Sequence, residues 1–74
     1  MLRDYGKLKK MEKNIFEEIS INNGKFSNFY FTKKYGGTNE DDINVDICLI
    51  NLIKKGVIKQ GENRKLFLRK IVGE

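Results

Sequence analysis

The sequence contains no proline, histidine, tryptophan or alanine, and only one cysteine. A single thiol excludes a disulfide framework, so a chain this short must be held by packing alone. With no histidine and one cysteine, the usual zinc ligand sets cannot be assembled. No apolar run exceeds a few residues, far short of the roughly 20 that a membrane helix needs. No secretory hydrophobic segment is visible. These absences point to a reducing, cytoplasmic setting with no membrane association. There is no repeat, no low-complexity tract and no Pro- or Ser-rich linker. The missing residues, set beside abundant Lys, Asn, Ile and Phe, suit an AT-rich genome such as that of a phage, a plasmid or a low-GC bacterium.

The chain has 74 residues, which implies one domain over 1–74. A domain of this size buries only about 60% of its unfolded surface, so its core is thin. Formal net charge is +5, which permits an acidic partner such as nucleic acid. The charge is unevenly spread. Residues 1–13 carry Arg3, Lys7, Lys9, Lys10 and Lys13 against Asp4 and Glu12. Residues 38–46 carry Glu40, Asp41, Asp42 and Asp46 and no base. Residues 54–70 carry Lys54, Lys55, Lys59, Arg64, Lys65, Arg69 and Lys70 against Glu62. Two basic ends therefore enclose an acidic middle.

Residues 7–21, KLKKMEKNIFEEISI, predict a first helix, because Leu8, Met11, Ile15, Phe16 and Ile19 share one face. Asn22-Asn23-Gly24 stops it. Gly6 is expected to separate a flexible basic arm, residues 1–6, from this helix. In KFSNFYFTKKYGG, Phe26-Ser27 reads as a short extended segment. Ser27 or Asn28 then caps a second helix reaching Lys34, with a strand as the rival reading because Phe, Tyr and Thr favour strands. Asn44 is expected to cap a third helix from Val45 to about Lys55, closed by Gly56. Carboxylates at its start and lysines at its end suit the helix dipole. VIKQ and KLFLRKI around GENR predict a β-hairpin with a charged tip, in which Leu66, Leu68 and Lys70 alternate with Phe67, Arg69 and Ile71.

The order helix, helix, helix, hairpin, with the ending Val45-x3-Leu49-x2-Leu52-x3-Gly56-x-Ile58, resembles winged helix-turn-helix domains. IFEEISINNGKFSNFYFTKKYGG is similar to the family's first helix, turn and second helix, so the likeness spans roughly residues 11–71. The segment from Thr38 to Asn44 departs from it, being longer than the tight turn the family places between its second and third helices. The resemblance implies an α+β fold of three helices followed by a C-terminal hairpin wing. It implies that the outward face of helix 45–55 enters the major groove of double-stranded DNA. The wing tip, Gly61 to Lys65, would lie at a flanking minor groove or the backbone, with Lys59, Arg64, Lys65 and Arg69 on phosphates.

At about 100° per residue, Val45, Cys48, Leu49, Leu52 and Ile53 fall on the core side of the third helix. Ile47, Ile50 and Lys54 face away, with Asn51 and Asp46 at the margins. Isoleucines can touch thymine methyls and Asn51 can pair with adenine. Glu40, Asp41, Asp42 and Asp46 would repel phosphate beside them. Two functions are thus expected. The first is a small transcriptional regulator that binds DNA through Ile47, Ile50, Asn51, Lys54, Lys59, Arg64, Lys65 and Arg69, acting as a homodimer because one short module reads few base pairs. The alternative is a protein-binding module or inhibitor, from a phage or mobile element, that docks through Ile47, Ile50 and the acidic segment 40–46.

Other chemistries are not expected. Asp42 to Asp46 mimics the start of a calcium loop, but Ile47 and Ile53 occupy the places of its glycine and glutamate. Gly24-Lys25 lacks the rest of a phosphate-binding loop, and Gly36-Gly37 is a turn. No nucleophile and base are paired, so no enzyme activity and no cofactor are expected. Cys48 reads as a small core residue.

Overall fold

A computed structural model describes residues 5–69. Three helices come first: α1 (Tyr5–Ile21), α2 (Asn28–Tyr35) and α3 (Asn39–Lys54). Two short strands follow, β1 (Ile58–Gln60) and β2 (Leu66–Leu68), joined by a tight turn at Glu62–Arg64. The strands are antiparallel, with Ile58 opposite Leu68, Lys59 opposite Phe67 and Gln60 opposite Leu66. The fold is therefore α+β, three helices followed by a hairpin. Among the described residues, no helix is long and apolar enough to cross a membrane.

Met11, Ile15 and Ile19 recur every four residues along α1 and are all buried. Gly6 lies inside the first turn of this helix rather than before it. One glycine costs a helix about 1 kcal/mol relative to alanine, too little to stop one that buries a full apolar stripe. The first four residues of the expected arm lie outside the described residues, as do Lys70 and Ile71.

The second segment is a helix, and its aromatic residues explain why strand propensity does not prevail. Phe31 is buried with no exposed surface. Tyr30 and Phe26 stack in parallel with ring centroids 3.9 Å apart, and both meet Phe31 edge to face. Helical spacing turns Tyr30 and Phe31 toward Phe26 of the connector and leaves Phe29 74% exposed. Ser27 occupies the N-cap position, but its side chain makes no capping bond.

The start of α3 requires correction. The helix begins at Asn39, not Val45, and its cap is Thr38, whose hydroxyl accepts a hydrogen bond from the Asp41 N–H at 3.1 Å. Glu40, Asp41 and Asp42 fill the first turn, where the helix dipole favours carboxylates. Asn44 is buried in the helix interior. The acidic segment is thus an ordered part of α3, and the connection from α2 is the short turn Gly36-Gly37-Thr38. Asp42 secures that turn by accepting from the Gly37 N–H at 3.2 Å. Val45, Cys48, Leu49 and Leu52 face the core as expected. Ile53 does not; it is 39% exposed. The buried arc runs from Cys48 through Leu52 and Val45 to Leu49, and Ile53 falls about 40° beyond Leu49. At the other end Gly56 turns the chain out of the helix with φ +77°, a left-handed value that suits glycine.

The core joins Ile15 and Ile19 of α1, Phe31 of α2, Val45 and Cys48 of α3, and Ile58 and Leu66 of the hairpin. The connector between α1 and α2 runs beside β2. The Gly24 N–H donates to the Leu66 carbonyl at 3.0 Å, the Leu66 N–H donates to the Phe26 carbonyl at 2.8 Å, and Ser27 bridges Lys65. The hairpin is therefore anchored to the helices on its β2 side.

A polar cluster locks α2 to α1. The Glu18 carboxylate accepts hydrogen bonds from the Tyr30 hydroxyl at 2.9 Å, the Lys34 ammonium at 2.9 Å and the Tyr35 hydroxyl. Burial raises the Glu18 pKa, but the bonds from Tyr35, Lys34 and Tyr30 and the Lys34 charge outweigh it, and the net shift is downward. A depressed carboxyl pKa stabilises the fold above the unfolded value of 4.5 and withdraws that stability as pH falls through the folded value. The Tyr35 hydroxyl is pushed up to about 12 by burial and by Glu18. Its contribution is lost at the alkaline end, as pH rises from 10 towards that value. Thermal melts should show a steady midpoint from about pH 6 to 9 and a fall below about pH 4.5. Glu18→Gln should lower the neutral-pH midpoint and flatten the acid limb. An acid limb unchanged in this variant would assign the loss to other carboxylates.

Candidate nucleic-acid interface

The hairpin has two faces because successive strand residues point to opposite sides. Ile58, Leu66 and Leu68 pack on the core. Lys59, Lys65 and Arg69 are exposed on the other face, around the half-buried Phe67 that pairs with Lys59. The Phe67 ring fits only because glycines flank its two edges. A Cβ on Gly24 would lie 2.3 Å from the ring's Cε1, and one on Gly61 would lie 2.7 Å from its Cε2. The ring, both glycines, Lys59 and Lys65 line a shallow recess of about 440 Å³.

At the tip, Asn63 and Arg64 both take left-handed backbone conformations, with φ 57° and 60°. The Lys65 N–H closes the turn on the Glu62 carbonyl at 3.2 Å, and the Gly61 N–H donates to the Lys65 carbonyl at 2.8 Å. Two consecutive positive φ values mark the tight hairpin turn whose preferred sequence is Asn-Gly. Asn63 fits that preference; Arg64 stands where glycine is favoured. A side chain in this conformation costs about 1–2 kcal/mol. Glycine recovers that cost but gives back about 0.5–1 kcal/mol through the freedom of the unfolded chain. Arg64→Gly should therefore stabilise the domain by about 0.5 kcal/mol in urea denaturation while removing the charge at the tip. A destabilised variant would mean that the arginine makes a contact that holds the turn.

The basic surface continues away from the hairpin. The Arg69 N–H donates to the Val57 carbonyl at 3.0 Å, and its guanidinium lies beside Gly56. Val57, Leu52 and Phe16 floor a groove of about 260 Å³ bordered by Lys9, Lys13 and Lys55. Lys55 spans the groove to Glu12 at 2.7 Å. Basic side chains thus recur from Lys65 and Lys59 through Arg69 to Lys13 and Lys9, with Lys55 paired to Glu12 between them. The lysines of α1 are not among the site residues expected from the sequence. The signal was the spacing of Lys9, Lys13 and Phe16, which share one side of that helix.

The remaining expected site residues lie elsewhere. Ile47, Ile50 and Lys54 are on the outward face of α3, with Ile50 51% exposed. Asn51 is not with them; it lines a recess against α1 with Tyr5, Leu8 and Lys9. Because α3 starts early, Ile43 joins the outward face at 50% exposure, together with Ile53. This face therefore holds four isoleucines, with Glu40 and Asp46 toward its N-terminal half. Cys48 is no reactive centre here. Burial, followed by Glu12, pushes its thiol pKa up to about 11, and its Sγ contacts the Leu8 carbonyl oxygen at 3.5 Å.

No protein-family model matches the chain, and neither a curated protein nor a solved structure is significantly similar to it.

Proposed function

We propose that this chain is a winged-helix DNA-binding protein that grips duplex DNA through its hairpin wing, and that it acts as a small transcriptional regulator by occupying its site. The order of helix, extended connector, helix, helix and hairpin supports the winged-helix reading. The observation that carries the DNA reading is the exposed hairpin face, where Lys59, Lys65 and Arg69 surround Phe67 and Arg64 projects from a strained tip. Lysines on an exposed edge also deter strand-to-strand aggregation. That role does not account for an arginine at a position where glycine would relieve strain, nor for a basic track that continues onto α1. These bases suit phosphates, while the outward face of α3, with its isoleucines and carboxylates, is a poor neighbour for a polyanion.

Fluorescence anisotropy of labelled AT-rich and mixed-sequence duplexes, titrated at several salt concentrations, tests this. Each phosphate neutralised contributes about −0.9 to the slope of log affinity against log salt, so four wing bases should give a slope of about −3 to −4. Absence of binding at low salt would sink the reading for a chain of this charge. A second reading, protein binding through α3, is favoured by one observation of its own, the four isoleucines on that helix's outward side.

A further inference from the structure

Glu40, Ile43, Ile47, Ile50 and Lys54 succeed one another on α3 at intervals of three, four, three and four residues. That spacing makes a straight seam along a helix, of the kind that packs side chain into side chain against a partner helix. Ile43 and Ile50 are each about half exposed, at 50% and 51%. Ile47 between them is partly buried. Asp46 and Ile53 flank the seam on one side. Single exposed apolar residues are ordinary on a monomer, but apolar side chains aligned along one helix face mark a contact surface.

We infer that this seam is the interface with a second copy of the same chain, with the two α3 helices packed antiparallel about a two-fold axis. The charges select the occupant. The seam ends in a carboxylate, Glu40, and an ammonium, Lys54, and neither is in an ion pair within the chain among the described residues. A two-fold axis near Ile47 sets Glu40 of each copy beside Lys54 of the other, and it does so twice. Ile47 then meets its own counterpart, and Ile43 of each copy packs beside Ile50 of the other. A parallel pair would set Glu40 against Glu40 and Lys54 against Lys54. Antiparallel packing also opposes the two helix dipoles. A closed interface of this kind uses one patch twice, which requires self-complementarity, and the seam has it. Nucleic acid does not fit the same face, because Glu40 and Asp46 would lie against phosphate.

Sedimentation velocity on the full chain across micromolar concentrations tests the inference. The wild-type chain should form a dimer, and Ile50→Asp should be monomeric with its helical circular dichroism retained. Glu40→Lys alone and Lys54→Glu alone should each weaken the dimer about tenfold, since each replaces two attractive pairs by two repulsive ones. The double variant should restore it to within about twofold. An equimolar mixture of the two single variants should dimerise as well as wild type, because each copy then supplies what the other lacks. A chain that stays monomeric, a dimer indifferent to Ile50→Asp, or a charge swap that fails to restore association would each overturn it. The charge variants alter only exposed positions, so the test stands even if the aspartate variant does not fold. The readout involves no DNA. A dimer that fails to bind duplex would overturn the wing reading and leave this one in place.

Discussion

Phe31→Ala is expected to leave the domain largely unfolded at physiological temperature. Phe31 has no exposed surface, and the rings of Phe26, Tyr30 and Tyr35 all contact it. Truncating a buried phenylalanine costs about 3–5 kcal/mol, part lost transfer energy and part cavity. A domain of this length has a total stability of roughly 4–11 kcal/mol, and a thin core places it toward the lower end. The loss therefore rivals the whole. The surrounding rings cannot collapse into the space without giving up their own stacking and edge contacts. Urea denaturation followed by circular dichroism should show either no native baseline or a midpoint shifted steeply down. Phe29→Ala, two residues away but 74% exposed, should change stability by less than about 0.5 kcal/mol. Similar effects at the two positions would mean that α2 is rotated from the orientation described.

Reversing Arg64 and Lys65 to glutamate is expected to lower duplex affinity more than 100-fold at about 0.1 M salt. Each phosphate contact carries about 0.9 of a decade of affinity there through released counterions. Losing two contacts accounts for about 60-fold, and two new carboxylates facing the backbone add repulsion. The salt slope should fall by about two units in the same titration. Lys65 bridges Ser27 through its backbone, so its side chain can change sign without breaking that link. Arg64 needs only a left-handed backbone, which glutamate tolerates about as poorly as arginine. Stability should therefore move little while affinity collapses. Full binding in the double variant would remove the wing from the interface and turn attention to the track over Lys9, Lys13 and Lys55.

The helices and the hairpin were legible where a local signal stood alone. Met11, Ile15 and Ile19 have the helical period, Asn22-Asn23-Gly24 has no helical rival, and Leu66 and Leu68 alternate with Phe67 and Arg69. The start of α3 was misread because two good caps compete there. Thr38 and Asn44 both offer an oxygen to an N–H. Thr38 captures the Asp41 N–H, the acidic first turn favours the earlier start, and Asn44 is buried within the helix. Ile43 was hidden by the same error, and Ile53 by assuming a wider buried arc. For the candidate site, the bases of the hairpin were legible from the two-residue period and the turn composition. The contribution of α1 was not, because nothing local says that Lys13 and Phe16 will border Val57. The position of Asn51 against α1 likewise depends on how two helices cross.

The pairing of Gly24 and Phe26 with Leu66 also governs the order in which the chain can fold. These backbone partners lie some forty residues apart. Closing a loop of that length costs entropy before any contact rewards it, and distant contacts slow folding. A nascent chain that has produced all three helices still lacks Ile58 and Leu66, which complete the buried core. It also leaves the Gly24 N–H and the Phe26 carbonyl without their partners. The helices therefore have no complete core to collapse onto until the last strand has emerged. The segment that carries the basic face is then also the one that completes the domain, and a chain cut short before it has neither its wing nor a finished interior.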